Sequence, residues 1–341
     1  MNNKSEEKNS MIDRPLITFA LISYNQEKFI KEALDGVFSQ TYSPLQIILS
    51  DDNSTDKTFD IMEEEVKKYA KNNTTNKVIL NRNPKNLGIG GHINKVMTLV
   101  EGDLIVIAAG DDISLPERVE IIYSTWEKHN FPRTSIHSAY YEIDEKGNNL
   151  GVNHALNKSG FNNLSDALKE HFSVHGASHA WHKDVFSVFG PIRNDVVYED
   201  RVIPIRSMLL SGEIIYIESP LIKYRTTVGI SGSYATHTFK EALFGLRAEK
   251  LLIAHKQQLT DIQMYLGGSA TTRIVKNLIK RQEFILEFRQ DLTIPKRTNL
   301  IIKAYKNSIG IKLILRALLV YYTPYLFKLI LLMQNKLTGK Q

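Results

Sequence analysis

The sequence predicts an α/β fold: a Rossmann-like, mostly parallel sheet flanked by helices, with a C-terminal helical region. Three observations predict it. Short runs rich in Ile, Leu and Val alternate with amphipathic stretches of helical spacing, the pattern of a parallel sheet covered on both faces. Two of those runs stop at adjacent acids, Asp51-Asp52 and Asp111-Asp112. Unpaired carboxylates do not belong in a core, and open α/β sheets bind ligands outside the carboxyl ends of their strands. From Thr238 onward the apolar spacing is helical to the end.

Each element has its own signal. Leu16 to Ser23 reads as a first buried strand that breaks at Ser23-Tyr24-Asn25. Asn25 is placed to cap a helix whose stripe is Phe29, Ile30, Ala33, Leu34, Val37 and Phe38. Leu45 to Ser50 is a second strand, and Phe59, Met62, Val66 and Tyr69 mark a second helix. Val78-Ile79-Leu80 is a short third strand, Asn83 to Gly91 a loop, and Asn94, Met97 and Val100 a brief helix. Leu104 to Ala109 is the fourth strand, an unbroken apolar run of the kind buried on both faces. Ser114-Leu115-Pro116-Glu117 has capping-box spacing before a helix carrying Val119, Ile122 and Trp126.

The middle of the chain is less regular. Thr134 to Ile143 reads as strand, Leu164 to Phe172 as a short helix, and His175 to Trp181 as a small-residue segment. A helix follows and ends at Gly190-Pro191, and Tyr198-Glu199-Asp200-Arg201 heads another. Ile214 to Ile217 and Leu221 to Tyr224 are expected to pair with each other. Helices then follow over about 239–251 and 262–288, with a last segment over about 300–337.

Composition narrows the function. Cysteine is absent, which excludes disulfides, thiolate metal sites and cysteine nucleophiles and suits a reducing compartment. Residues 1–13 are polar, with no apolar core of a signal peptide, and read as a disordered lead-in. The net charge of +6 is unevenly spread: from Thr271 on, 14 basic residues face 3 acids, and the remainder carries 29 basic against 34 acidic. A basic tail points to an anionic partner. Its longest charge-free run, Ala317 to Phe327, is 11 residues and contains Pro324, whereas a spanning helix needs about 20 apolar residues. A basic amphipathic segment lying on an anionic membrane surface fits this pattern; the competing reading is a helix docked on a core or a subunit. Nucleic acid fits less well, since apolar residues outnumber charges and stacking platforms are not evident.

Four blocks in order carry a family resemblance. They are Thr18 to Asn25 with Ser39-Gln40-Thr41; Ser50 to Asp56; Gly102-Asp103 through Asp111-Asp112 with Pro116; and Glu199-Asp200 with Arg206 and Tyr224-Arg225. Over about 15–233 the chain resembles the inverting family 2 glycosyltransferases of the GT-A fold, of bacterial cell-surface polysaccharide type. The resemblance implies a catalytic domain over 14–235, with a nucleotide-sugar half over about 14–115 and an acceptor half over about 116–235. Residues 236–341 form the helical C-terminal region.

The resemblance also implies site roles. A nucleoside-diphosphate sugar, UDP- or dTDP-linked, gives its sugar to a hydroxyl of a glycan or lipid-linked saccharide. Asp112 is the expected ligand of Mn²⁺ or Mg²⁺, with Asp111 beside it near the metal or ribose. The family's commoner Asp-x-Asp puts an acid where this chain has Ala109 or Gly110. Asp51 is expected to accept a base N–H, a charge-assisted bond, with Asp52 beside it and Ser23, Tyr24 and Asn25 flanking the base; the alternative is that Asp51 and Asp52 cap the helix that follows, which Thr55 or Asp56 could already do. Asp200 is the expected catalytic base, Glu199 the adjacent alternative, and both otherwise cap the helix that follows. Arg225 is expected at the departing diphosphate.

Other features are weaker. Thr226 and Thr227 stand where the family often has a His, and His237 lies farther on. His175, His179 and His182 match no familiar metal spacing. Gly88-Ile89-Gly90-Gly91 lacks the Lys-Ser/Thr of a phosphate loop. These residues predict a glycosyltransferase working peripherally at the cytoplasmic face of the cell membrane. The alternatives are a catalytically inactive nucleotide-sugar-binding or assembly subunit and a sugar nucleotidyltransferase. The latter should carry a Gly-rich basic loop after its first strand, and Ser23-Tyr24-Asn25-Gln26 is not one.

Overall fold

The chain forms β1 (Ile17–Ser23), α1 (Ile30–Phe38), β2 (Leu45–Asp51), α2 (Thr58–Asn72), β3 (Lys77–Arg82), α3 (Gly88–Met97) and β4 (Leu104–Ala109) in strict alternation. The computed structural model describes residues 14–72, 75–154, 163–168, 174–211, 213–226, 246–268, 270–290, 292–307 and 309–322. It divides into two compact units, Met1–Gly232 and Ser233–Gln341.

After β4 come β5 (Ile113–Ser114), α4 (Arg118–Lys128), β6 (Ser135–Ser138), β7 (Tyr140–Ile143), β8 (Asn149–Asn153) and α5 (Leu164–Ala167). A 3₁₀ turn at Gly176–Ser178 leads into β9 (Ala180–His182), α6 (Asp184–Ser187), α7 (Glu199–Ser211), β10 (Ile214–Ile217) and β11 (Ile222–Arg225). A seven-stranded sheet runs β10-β6-β9-β4-β1-β2-β3 and a four-stranded one β5-β11-β7-β8. β3, β2, β1 and β4 are mutually parallel, while β9 lies antiparallel between β4 and β6. The register sets Ser23 opposite Asp51 and Ile22 opposite Ala109. The carboxyl ends of three neighbouring strands therefore finish level.

Phe19, Leu21, Ile47, Leu49, Leu104 and Val106 are fully enclosed and pack with Leu34, Val37 and Ile122 from the covering helices. Each such side chain contributes about 1.5–3 kcal/mol. Exposed pairs such as Lys67–Glu63 on α2 contribute about 0.3–0.5 kcal/mol. The sheet, not its charged surface, holds the unit together.

The structure departs from several sequence expectations. Asn25 does not cap α1, which starts at Ile30 without a side-chain cap; it takes a left-handed φ of 52°. Gly88 to Gly91 belong to α3 rather than a loop. A Cβ at Gly90 would stand 2.6 Å from the Arg193 carbonyl oxygen, so glycine lets the helix approach that backbone. The capping box at Ser114 is not made, because Ser114 lies in β5 opposite Ile222 and α4 begins at Arg118. The expected strand over Thr134 to Ile143 splits at Ala139 between the two sheets, and β10 and β11 pair with β6 and β7 rather than with each other. β9, which starts in the expected small-residue segment and ends one residue past it, is three residues long and too short to show a period.

The second unit contains α8 (Leu246–Leu266), α9 (Ala270–Phe288), α10 (Ile294–Lys306) and α11 (Ile311–Tyr322). Gly267, at φ 65°, ends α8, where a continuous helix from Ile262 was expected. Phe284, Phe288, Leu300, Ala304, Ile309, Ile314 and Ala317 form its core. The Arg297 guanidinium lies 3.6 Å from the centre of the Tyr321 ring. The basic segment is thus two helices with one face buried at home, and its part beyond Tyr322 lies outside the described residues. Among the described residues no helix is long and apolar enough to cross a membrane.

Candidate active site

The turns after β1 and β2 are laced together. Asn25 N–H donates to Ser54 Oγ at 2.8 Å and Gln26 N–H to Thr58 Oγ1 at 2.7 Å. In return Thr55 N–H donates to Asn25 Oδ1 at 2.8 Å. Asp56 caps α2 by accepting Thr58 N–H at 2.9 Å. Burial works against its charge, but the bonds from Thr58 and Glu27 hold its carboxyl below the usual range.

Asp51 and Asp52 both turn inward. Asp51 accepts Ser54 N–H at 2.9 Å and also the Ser54 hydroxyl, with Arg82 Nε at 3.7 Å, and is fully enclosed. Asp52 accepts Asn83 Nδ2 at 2.8 Å, Leu87 N–H at 2.9 Å and Gly88 N–H at 3.1 Å. It therefore caps α3 and fixes the loop before it. Ser23 is buried, with its hydroxyl toward Ser50 O at 3.4 Å. Tyr24, 44% exposed, and Asn25 are open to solvent at this corner.

Asp111 and Asp112 are treated differently. Gly110 N–H bonds Ile22 O at 3.0 Å, seating the turn on β1. A Cβ at Gly110 would overlap Gln26 Oε1 and stand 2.9 Å from Ser23 Cβ, so the commoner acid of Asp-x-Asp has no room there. Asp112 accepts Arg225 N–H at 2.9 Å. Burial and the neighbouring Asp111 charge push its carboxyl well above the usual range. Burial likewise raises Asp111, against a hydrogen bond from Gln26. Beneath them Arg118 is fully buried, donating to Ser114 Oγ at 2.9 Å, Ile107 O at 2.7 Å and Ala177 O at 3.0 Å. Its Nε has no partner among the described residues, and burial pulls its pKa down to about 9.

Arg225 has internal partners rather than an open face. It is 1% exposed and donates to Asp111 O at 3.0 Å, Asp144 O at 3.2 Å, Glu145 O at 2.8 Å and Glu32 Oε2 at 2.9 Å. Its guanidinium also covers the Phe29 ring at 4.7 Å. The diphosphate contact expected of Arg225 is not available in this arrangement.

Glu199 and Asp200 head α7. Burial pushes Glu199 up to about 8, helped by the adjacent Asp200 charge, and pushes Asp200 up to about 6. Asp200 Oδ1 is buried without a partner among the described residues. Pro204 lies inside α7 and has no N–H for the Asp200 carbonyl. Val174 N–H takes that carbonyl instead, at 3.3 Å. This bond draws the 174–178 segment to the acids, where a Cβ on Gly176 would stand 3.1 Å from Glu199 Oε1. His175 stacks on Tyr140 at 3.9 Å and meets Tyr224 edge-on at 4.6 Å. The bond from Val174 to Asp200 and the His175–Tyr224 contact, next along the chain to Arg225 and so to Asp112, lie in succession.

The three histidines have separate places. His179 is in the core, 2.9 Å from Ser135 Oγ, and His182 accepts Asp184 N–H at 3.1 Å. Burial holds His175 neutral, at about 3. Among the described residues no three His, Asp or Glu side chains form a metal cage. His237 and Thr227 lie outside the described residues. Sequence reading missed Arg118, Glu32 and Pro204; only Pro204, a helix breaker just after two acids, carried a local signal.

The family described as glycosyl transferase family 2 matches residues 18–186. An uncharacterised glycosyltransferase of Methanocaldococcus jannaschii is 30% identical over 223 residues, covering 63% of this chain and 72% of that one. The chain belongs to glycosyl transferase family 2. The Bacillus subtilis protein EpsH, named as a glycosyltransferase, is 25% identical, with 74% and 73% of the two chains covered. Staphylococcus aureus TarS in complex with UDP-GlcNAc shares the fold with a TM-score of 0.59 at 14% identity, covering 85% of this chain and 80% of that one. The protein is a glycosyltransferase of GT-A-like fold.

Proposed function

We propose that this glycosyltransferase inverts the anomeric centre, moving a sugar from a UDP- or dTDP-linked donor to a hydroxyl of a glycan or lipid-linked saccharide. The catalytic domain is 14–235, with its donor side over about 14–115 and its acceptor side over about 116–235; residues 236–341 form the helical region. Asp200 carries the reading. Its carboxylate is held without a full set of partners and titrates near 6 beside a Glu199 that keeps its proton to about 8. Near neutral pH the pair supplies one base beside one neutral acid, the division a general base requires.

Asp200 takes the proton of the acceptor hydroxyl as that oxygen forms its bond to the anomeric carbon and the bond to the diphosphate breaks. Asp111 and Asp112 fit a hard divalent cation: both donors are oxygens, and both carboxyls are raised by burial that a cation would relieve. Mn²⁺ or Mg²⁺ on Asp112, with Asp111 beside it, supplies charge neutralisation at the leaving diphosphate. Tyr24, with the backbone of Ser23 and Asn25, flanks the base. Contact by Asp51 requires the Ser54 turn to yield, because its side chain is enclosed.

The test pairs donor binding with turnover. UDP- and dTDP-sugars are screened by thermal shift with Mn²⁺ and Mg²⁺, beginning with UDP-GlcNAc, which the S. aureus relative binds. Asp200→Asn is expected to keep donor stabilisation and lose transfer by ~10²–10⁴-fold. Donor binding without any transfer by the wild type supports the inactive-subunit reading instead.

The helical region is proposed to meet an anionic cytoplasmic membrane surface. Ile311, Leu315, Leu319 and Tyr322 are exposed at helical spacing, flanked by Lys312 and Arg316. Leu315→Glu is expected to reduce sedimentation with phosphatidylglycerol vesicles; equal sedimentation rules the surface out.

A further inference from the structure

Arg225 is a buried cation beside two carboxylates, yet it forms an ion pair with neither. Its backbone N–H touches Asp112, its Nε reaches only the main-chain oxygen of Asp111, and its Nη2 turns away to Glu32 at 2.9 Å. Glu32 lies on α1, and its own side chain is 53% exposed. The same guanidinium holds the 144–145 carbonyls, and Lys28 on the approach to α1 stands 3.6 Å from Glu145.

Removing the carboxylate from a buried ion pair leaves the guanidinium charge uncompensated. Besides Glu32 and the acids Asp144 and Glu145 whose carbonyls it holds, the guanidinium has Asp111 and Asp112 close by, and their charges interact with it. We propose that Glu32 is a positioning residue: it draws Arg225 off the Asp111–Asp112 turn and so leaves both carboxylates to a divalent cation. The inference rests on the metal reading of that turn. Without the Glu32 charge the guanidinium swings toward Asp111 or Asp112, neutralises it, and competes with the cation. The clasp also ties α1 to β11, so donor-side and acceptor-side elements share one fixed point.

The experiment measures UDP binding by calorimetry, with saturating Mn²⁺ and with EDTA, for the wild type, Glu32→Gln and Glu32→Asp, beside their thermal midpoints. Loss of such an outer partner typically weakens metal affinity by roughly 10–100-fold. Glu32→Gln is therefore expected to raise the Mn²⁺ concentration needed for UDP binding by about 10-fold or more, with binding in EDTA and the midpoint unchanged, and Glu32→Asp to restore most of it. A Mn²⁺ requirement equal in wild type and Glu32→Gln overturns the inference alone. Equal losses with Mn²⁺ and with EDTA overturn it in favour of a structural contact. No Mn²⁺ effect in the wild type overturns the metal reading and this inference with it.

Discussion

The dipeptide Asp-Asp occurs twice at the carboxyl ends of parallel strands, with only β1 between them, and the two copies do different work. Asp51-Asp52 is saturated: Ser54, Asn83, Leu87 and Gly88 donate to its carboxylates and make it a brace for two turns. Asp111-Asp112 is undersupplied, with Arg225 N–H on Asp112, a Gln26 contact on Asp111, and burial that raises both. A carboxylate given enough N–H groups becomes structure, whereas one buried without them keeps its chemistry available. The course of the chain after each pair differs to match. Asn53-Ser54 turns back onto the first pair, while Ile113-Ser114 runs off as a strand from the second.

Substitution at each pair should separate these roles most sharply. Asp112→Asn is expected to lower kcat/KM by about 1,000-fold, on the scale of several kcal/mol of charge stabilisation, while leaving the fold intact. Stability against pH checks the same point. A carboxyl raised in the folded state binds more protons folded than unfolded, so stability falls as pH rises above the ordinary carboxylate range. Removing Asp112 removes part of that fall, and the variant should gain in thermal midpoint over the wild type as pH increases. Asp52→Ala should behave oppositely, losing about 1–3 kcal/mol of stability from its stranded N–H donors, read by denaturant unfolding. Should Asp52→Ala unfold no more easily than the wild type, the contrast fails.

The acids at α7 sharpen it next. With Asp200 near 6 and Glu199 near 8, kcat is expected to fall about tenfold per unit below pH 6 as the base protonates. A second decline is expected above pH 8, as two adjacent charges form. Glu199→Gln should keep the acid limb and abolish the alkaline one. Loss of the acid limb in that variant would make Glu199 the base.

The smallest effect concerns the missing acid. Gly110→Asp rebuilds the commoner Asp-x-Asp, but its Cβ meets Gln26, Ser23 and Ile30. Overpacking of this kind costs about 1–3 kcal/mol, so a lowered thermal midpoint and no gain in metal affinity are expected. A tighter Mn²⁺ titration would show that the turn can shift to accept it.

The sequence by itself determined the alternating α/β half of this protein and the positions of its acid pairs. Apolar period and strand-ending carboxylates are local signals, and the strands at Ile17, Leu45 and Leu104 needed nothing else. The C-terminal helices were legible for the same reason, though not the ends of α8 at Leu266 and of α10 at Lys306. Only the tertiary structure decided which acids are braces, that Arg225 is enclosed and paired with Glu32, that Arg118 is buried, and that β9 enters the sheet antiparallel. The bracing of Asp52 and the pairing of Arg225 depend on donors and charges brought from 31 to 193 positions away in the chain. Spacing along the sequence does not encode them. Pro204 stands between the two: visible in the sequence as a missing N–H, its meaning appears only when Val174 arrives to fill it.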